Sequence, residues 1–173
     1  MSAKRGGGRQ RQLLFLDFDG TLHPYGCSPG RYLERLPLLE LWLRTHPTVD
    51  IVISSDWRHH HALGELAAMF SAELRPRIVG VTGEVMVWFG REPGPQNGVH
   101  YDPLYAPGAR ELEIWRWLEE HEMSQRAWCA LDDLAWLFGK GCNELVEVDG
   151  TTGITTETLA ELDGWLCGVG ALR

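Results

Sequence analysis

An apolar run at positions 13–16 ends in two acids one residue apart, Asp17 and Asp19, followed by Gly20 and Thr21. On a strand, residues i and i+2 share a face, so both carboxylates point the same way. Like charges so placed persist where a cation or a shared proton relieves them. Mg²⁺ suits such a site, because a hard cation is satisfied by carboxylates, waters and a phosphate oxygen. A second acid pair, Asp132 and Asp133, follows the apolar run at 127–131, and Ser54 and Ser55 close the run at 49–53. A hydroxyl at a strand end can donate to a phosphoryl oxygen. If these runs are neighbouring strands, both acid pairs converge on one ion beside a phosphate.

Each feature also has a plainer reading. Asp17 and Asp19 could be a solvated strand end or a helix cap, and Asp132-Asp133 could cap a helix at 134–138. Ser54 and Ser55 could cap the helix that follows them. His59, His60 and His61 are consecutive, so on a helix they point apart and do not share one ion; a partly exposed helix start fits them better. Trp57, Trp88 and Trp136 could stack a base, but packing is the commoner fate, and Trp128 reads as core. Arg58 either contacts a substrate phosphate or pairs with a nearby acid.

The elements that must position these residues are legible as periodic patterns. Five apolar runs, at 13–18, 49–53, 77–81, 127–131 and 145–148, lack polar alternation, as strands buried on both faces do. Helical patterns separate them. Pro37 starts one that ends before Pro47 and buries Leu38, Leu39, Leu41 and Trp42. Ser55 or Asp56 caps a second that runs through Phe70. A third runs from Ala109 to about His121 with apolar Leu112, Ile114, Trp115, Trp117 and Leu118, and Thr155 caps a fourth carrying Leu159, Leu162 and Leu166. Strands alternating with helices predict an α/β, three-layer Rossmann-like fold with a mainly parallel five-stranded sheet. Its ligand crevice lies beyond the carboxyl ends of the strands, where the acids and serines fall. The stretch 82–108 is rich in Gly and Pro and reads as a long loop with one hairpin around 85–89.

Bulk composition limits the rest. The 173 residues suit one domain, taken as 13–173, with 1–12 as a disordered basic tail bearing Lys4, Arg5, Arg9 and Arg11. A net charge of −8 argues against a broad basic face for duplex nucleic acid, though not against a local cationic pocket for one end. Cys27, Cys129, Cys142 and Cys167 show no metal-binding spacing. No signal peptide or apolar span is read, which gives a cytoplasmic protein with no membrane contact and no obligate protein partner as the expectation.

With these residues in view, LFLDFDGTL resembles the first motif of the haloacid dehalogenase-like (HAD) superfamily, a hydrophobic run followed by DxDGT. IVISS resembles the second motif and WCALDD the fourth, in the right order over 13–166. FLDFDGTLHP, ISSDWR, the REL-I-WL helix, LDD and GITTETL are similar to the small phosphatase-like domains predicted in RNA-repair systems.

The resemblance implies a Mg²⁺-dependent phosphomonoester hydrolase working through an aspartyl-phosphate. Asp17 would be the nucleophile. Asp19 would be the acid and base, with its backbone carbonyl on the metal. Ser54 would hold the phosphoryl group, with Ser55 second, and Gly20, Thr21 and Arg58 would line the substrate. Asp133, then Asp132, would complete the metal site. The third motif normally supplies a lysine; Arg110 is the best match, with Arg77 and Arg58 behind it. The short spans between motifs leave little room for a cap domain, so the site is expected to admit a bulky phosphorylated substrate such as a nucleic-acid end. A phosphatase of small metabolites or phosphoproteins and a non-catalytic Mg²⁺/phosphate-binding module are the alternatives. A receiver-type signalling domain would carry a lysine after its fifth strand, and none is seen.

Overall fold

The computed structural model describes residues 11–85 and 106–171, with side chains through 168. Five parallel strands form one sheet in the order β3-β2-β1-β4-β5. They are β1 (Gln12–Leu16), β2 (Val49–Ile53), β3 (Ile78–Val81), β4 (Trp128–Asp132) and β5 (Leu145–Glu147). The helices are α1 (Leu36–Thr45), α2 (Leu63–Ala68), α3 (Ala109–Glu120) and α4 (Thr156–Ala171). The expected three-layer α/β architecture is therefore present, and every strand pair is parallel. Just before β1, Arg11 forms a two-pronged ion pair with the buried Asp50 of β2.

Alternate side chains of the central strands feed two cores. Leu14, Leu16, Ile51, Ile53, Cys129 and Leu131 face the layer built by α1, α2 and α4. Leu13, Phe15, Val52, Trp128 and Ala130 face α3, through Ile114, Trp117 and Leu118. Phe15 sits edge-on between Trp117 and Trp128, each centroid 5.7 Å away. β3 requires Gly80 there, because a Cβ would come within 2.8 Å of the Trp117 ring.

The chain builds outward from β1 through β2 to β3, then crosses back to place β4 on the other side of β1. Reversal of direction puts α3 on the opposite face from α1 and α2 and opens a crevice between β1 and β4. Ladder bonds carry the strand ends into that crevice. Asp17 N–H donates to Leu131 O at 3.0 Å, Ser54 N–H to Leu16 O at 2.9 Å and Thr82 N–H to Ile53 O at 2.9 Å.

The helix expected from Ser55 through Phe70 is broken. A 3₁₀ turn, Asp56–His59, is followed by an extended Ala62, and α2 starts only at Leu63. Glu65 fastens that start by accepting from the Ala62 N–H at 2.8 Å. Leu41 is exposed rather than buried, since α1 turns Leu36, Leu39, Glu40, Trp42 and Leu43 inward. Leu112 and Trp115 of α3 are likewise exposed, leaving Ile114, Trp117 and Leu118 to the core. The helix read at 134–138 is one 3₁₀ turn, Ala135–Leu137. Thr155 does cap α4, its Oγ1 accepting from the Thr158 N–H at 3.3 Å. The hairpin expected around 85–89 and Trp88 lie outside the described residues.

Candidate active site

Asp17 is the first residue beyond β1, and Asp132 is the last of the adjacent β4. Parallel register brings the two ends level, so their carboxylates meet. One oxygen each from Asp17, Asp132 and Asp133 lies within 4.8 Å of the others. Asp17 and Asp132 are buried and Asp133 is half-buried. Asp133 is seated in a slot that only glycine can line. A Cβ on Gly20 would fall 2.2 Å from Asp133 Oδ2, and one on Gly150 would fall 2.4 Å from the same atom. Gly20 also takes a positive φ of 71°, which lets the chain turn sharply after the first acids.

One cation is built into this cluster. Arg110, in the first turn of α3, is 5% exposed. Its Nη1 donates to Asp17 Oδ1 and to Asp132 Oδ2, each at 3.1 Å, and to the carbonyl of Ser54. Its Nη2 lies 3.7 Å from Asp56 Oδ1. Burial works against the guanidinium's charge, but Asp132, Asp17, Glu113 and Asp56 together hold its pKa above the ordinary value. Burial, reinforced by the charge of Asp132, lifts Asp17 well above the usual carboxylate range in spite of Arg110. Burial raises Asp132 too, against the pull of Arg110. Burial and the Asp132 charge push Asp133 up to about 6. Crowded, desolvated carboxylates whose oxygens converge are a donor set fit for a hard divalent cation.

Asp19 stands apart from the cluster with a half-exposed carboxylate. Trp57 Nε1 donates to its Oδ2 at 2.9 Å, and His23 Nε2 lies 3.0 Å from its Oδ1. The second-motif hydroxyls are buried. Ser54 Oγ accepts from Thr82 Oγ1 at 3.4 Å, on the α3 side of the sheet. Ser55 Oγ and Thr21 Oγ1 have no hydrogen-bond partner among the described protein atoms. Buried hydroxyls left so are uncommon and call for a water, an ion or a ligand oxygen as partner.

The structure thus brings Asp17, Asp132, Asp133 and Arg110 together, with Gly20 shaping the slot and Ser54 bonded to Arg110 through its carbonyl. Arg58 goes elsewhere. Its Nη2 contacts both oxygens of Glu113 at 2.9 Å, and its Nη1 donates to Thr82 Oγ1 at 3.0 Å. Both partners of this pair are almost fully buried. Arg77, the other fallback cation, donates to the carbonyls of Leu43, His46 and Val49, at the opposite end of β2. Asp132 does not cap a helix as its plainer reading had it, because the 3₁₀ turn starts at Ala135 without a side-chain cap; its Oδ1 instead accepts from the Leu134 N–H at 2.9 Å, a local turn bond.

Sequence reading passed over His23, Glu113, Thr82 and Gly150. His23 carries a signal, being four residues after Asp19 in an otherwise apolar turn. Glu113 carries another, because it lies four positions before Trp117, on the face that packs into the core. Gly150 has none, since its requirement comes from Asp133 across space. Of the three histidines at 59–61, His59 Nδ1 meets Glu84 at 3.0 Å, and the His61 ring lies 5.6 Å from Trp57. Trp128 is core, as expected, and Trp136 is half exposed. No helix among the described residues is long and apolar enough to cross a membrane.

The family model described as the HAD domain in Swiss Army Knife RNA repair proteins matches residues 13–159. No curated protein and no solved structure matches the chain. The matched span takes in every strand, the acid cluster and Arg110, and the chain belongs to this family of HAD domains from RNA repair proteins.

Proposed function

We propose that the chain hydrolyses phosphate monoesters, with Asp17 as nucleophile and a phosphorylated nucleic-acid end as substrate. The observation that carries this reading is the meeting of Asp17 with Asp132, Asp133 and Arg110 at two adjacent strand ends. Asp17, Asp132 and Asp133 would hold Mg²⁺, joined by the Asp19 carbonyl as the superfamily resemblance implies. The ion would polarise a phosphoryl oxygen and offset the negative charge that gathers during transfer.

The remaining work falls to side chains. Asp17 attacks phosphorus, and a carboxylate already held by Arg110 at 3.1 Å loses little freedom on the way. Asp19 gives a proton to the leaving oxygen, forming the aspartyl-phosphate, and then takes one from the attacking water. Arg110 balances charge beside the transferring group, in the place usually held by lysine. Ser54, Ser55 and Thr21 offer hydroxyls to the phosphoryl oxygens, and the unpartnered Oγ of Ser55 raises it to equal standing with Ser54. Arg58 acts through Glu113 in the wall of the site.

The family supports a nucleic-acid end as substrate, and so does the short span after the first acids. Between Asp19 and β2 the chain forms only a 3₁₀ turn, Pro29–Arg31, and α1, with no added domain. The deciding experiment measures Mg²⁺-dependent release of phosphate from an aryl phosphate by wild type and Asp17→Asn. Loss in the variant supports the reading, and equal rates defeat it. Oligonucleotides bearing 5′ or 3′ phosphates, nucleotides and phosphopeptides then rank the substrate classes.

A further inference from the structure

We propose that His23 and Trp57 are positioning residues for Asp19, clamping its carboxylate so that the remaining lone pairs, and the proton they carry, face its half-exposed side. This rests on the phosphatase reading, in which Asp19 is acid and base. The two residues come from different segments. His23 lies in the turn after β1 and Trp57 in the 3₁₀ turn after β2. Each engages a different oxygen of the same carboxylate, His23 Nε2 at Oδ1 and Trp57 Nε1 at Oδ2.

The clamp is one-directional. An indole N–H donates and never accepts. The His23 ring faces the Leu33 N–H with its other nitrogen, Nδ1, at 3.5 Å. With Nδ1 as the acceptor, the ring's hydrogen sits on Nε2, aimed at Asp19. Leu33 holds a left-handed backbone, with φ 59°, which a leucine rarely adopts. Neither partner can therefore relieve Asp19 of a proton. Each oxygen receives one N–H and keeps a lone pair, and the carboxylate's half-exposed side is the way out.

Neighbouring rings fix the clamp. The Tyr32 ring lies 4.9 Å from His23 and 5.7 Å from Trp57, and Phe18 meets Trp57 at 5.4 Å. His23 is 1% exposed, so no water replaces its hydrogen bond without repacking. In the first half-reaction the P–O bond to the leaving group breaks, the Asp17–phosphorus bond forms, and the Asp19 proton goes to the departing oxygen. In the second, water attacks phosphorus, its proton returns to Asp19, and the Asp17–phosphorus bond breaks. The clamped carboxylate serves both halves from one position.

The test compares kcat/KM for p-nitrophenyl phosphate, whose leaving group departs without a proton, and for a nucleoside 5′-phosphate, whose alkoxide needs one. His23→Leu and Trp57→Phe should lower the alkyl-to-aryl ratio by roughly 10-fold or more, the scale of a lost acid. His23→Gln, which returns an N–H near the same place, should restore most of the ratio. Asp19→Asn should show the same selective loss, and His23→Leu added to it should change nothing further. Thermal melts check that each variant is folded. An equal fall on both esters, or an additive effect on top of Asp19→Asn, would overturn the clamp while leaving the phosphatase intact. A wild type with no Mg²⁺-dependent activity on either ester overturns both.

Discussion

Replacing Asp133 by Asn should have opposite effects on the metal-free and metal-loaded protein. Asp133 is half-buried beside Asp132, and its pKa is pushed from 3.8 up to about 6. A carboxyl whose folded pKa lies above its unfolded one is held protonated by the fold, so its ionisation costs stability. The cost is absent below about pH 4, grows between about 4 and 6, and is complete above that. Taken in full, such a difference is worth roughly 3 kcal/mol, and half exposure reduces it to about 1–2 kcal/mol. At pH 7.5 the metal-free Asp133→Asn protein should therefore melt higher than wild type by roughly 2–8 °C. Mg²⁺ at a hundred times its dissociation constant should raise the wild type by about 2.7 kcal/mol and the variant far less. Thermal melts with EDTA and with Mg²⁺, at pH 7.5 and pH 4, give four comparisons for each protein. A variant that is less stable without metal at pH 7.5, or that gains as much from Mg²⁺ as wild type, refutes the charge cluster as a metal site.

Arg110→Met should cost about 3–5 kcal/mol in urea unfolding, because it strips two buried carboxylates of their partner. Turnover should fall by roughly 100-fold or more, with Arg110→Lys intermediate in both measurements. Glu113→Gln should destabilise by about 3 kcal/mol by leaving Arg58 buried without its acid. The paired change Arg58→Met with Glu113→Leu should recover most of that loss and keep activity, whereas a direct substrate contact by Arg58 would raise KM in the pair. Gly150→Ala should leave the fold near wild type while reducing Mg²⁺-induced stabilisation, since the new Cβ displaces the tip of Asp133 rather than backbone. An unchanged Mg²⁺ titration would show that the slot does not matter.

The strands and the acids at their ends were legible because a parallel sheet buried on both faces leaves continuous apolar runs, and a carboxylate closing such a run has no packing purpose. Arg110 could be placed only through a known motif order, and the structure supplies its three partners around one nitrogen. The break after Ser55 was hidden. Local pattern favours a helix there, but Trp57 is drawn to Asp19, its carbonyl accepts from the His60 N–H in a 3₁₀ bond, and the chain extends at Ala62 before α2 begins. Leu41 misled because apolar type alone was counted, while Glu40 is the residue turned inward, accepting from the Ser71 N–H at 2.6 Å. The Gly150 slot and the Glu113–Arg58 pair depend on residues far apart in the chain, and spacing alone does not reveal them.

The chain reversal at β1 explains why charge collects where it does. Crossing from β3 to β4 sends α3 over the opposite face, so its N-terminal turn arrives above the gap between β1 and β4. Arg110, in that first turn, is the cation the topology delivers to Asp17 and Asp132. Three carboxyls against one guanidinium leave two formal negative charges that burial, by raising all three pKa values, disfavours without a further cation. A stronger structural ion pair would have used a second arginine, and Arg58 lies near enough in space for its charge to reach Asp132. Arg58 is instead tied to Glu113, with both partners buried and matched one to one. The fold thus neutralises the pair beside the site and leaves the site itself two charges short. A divalent cation supplies that balance, beside the contact that already holds Asp17 to Arg110.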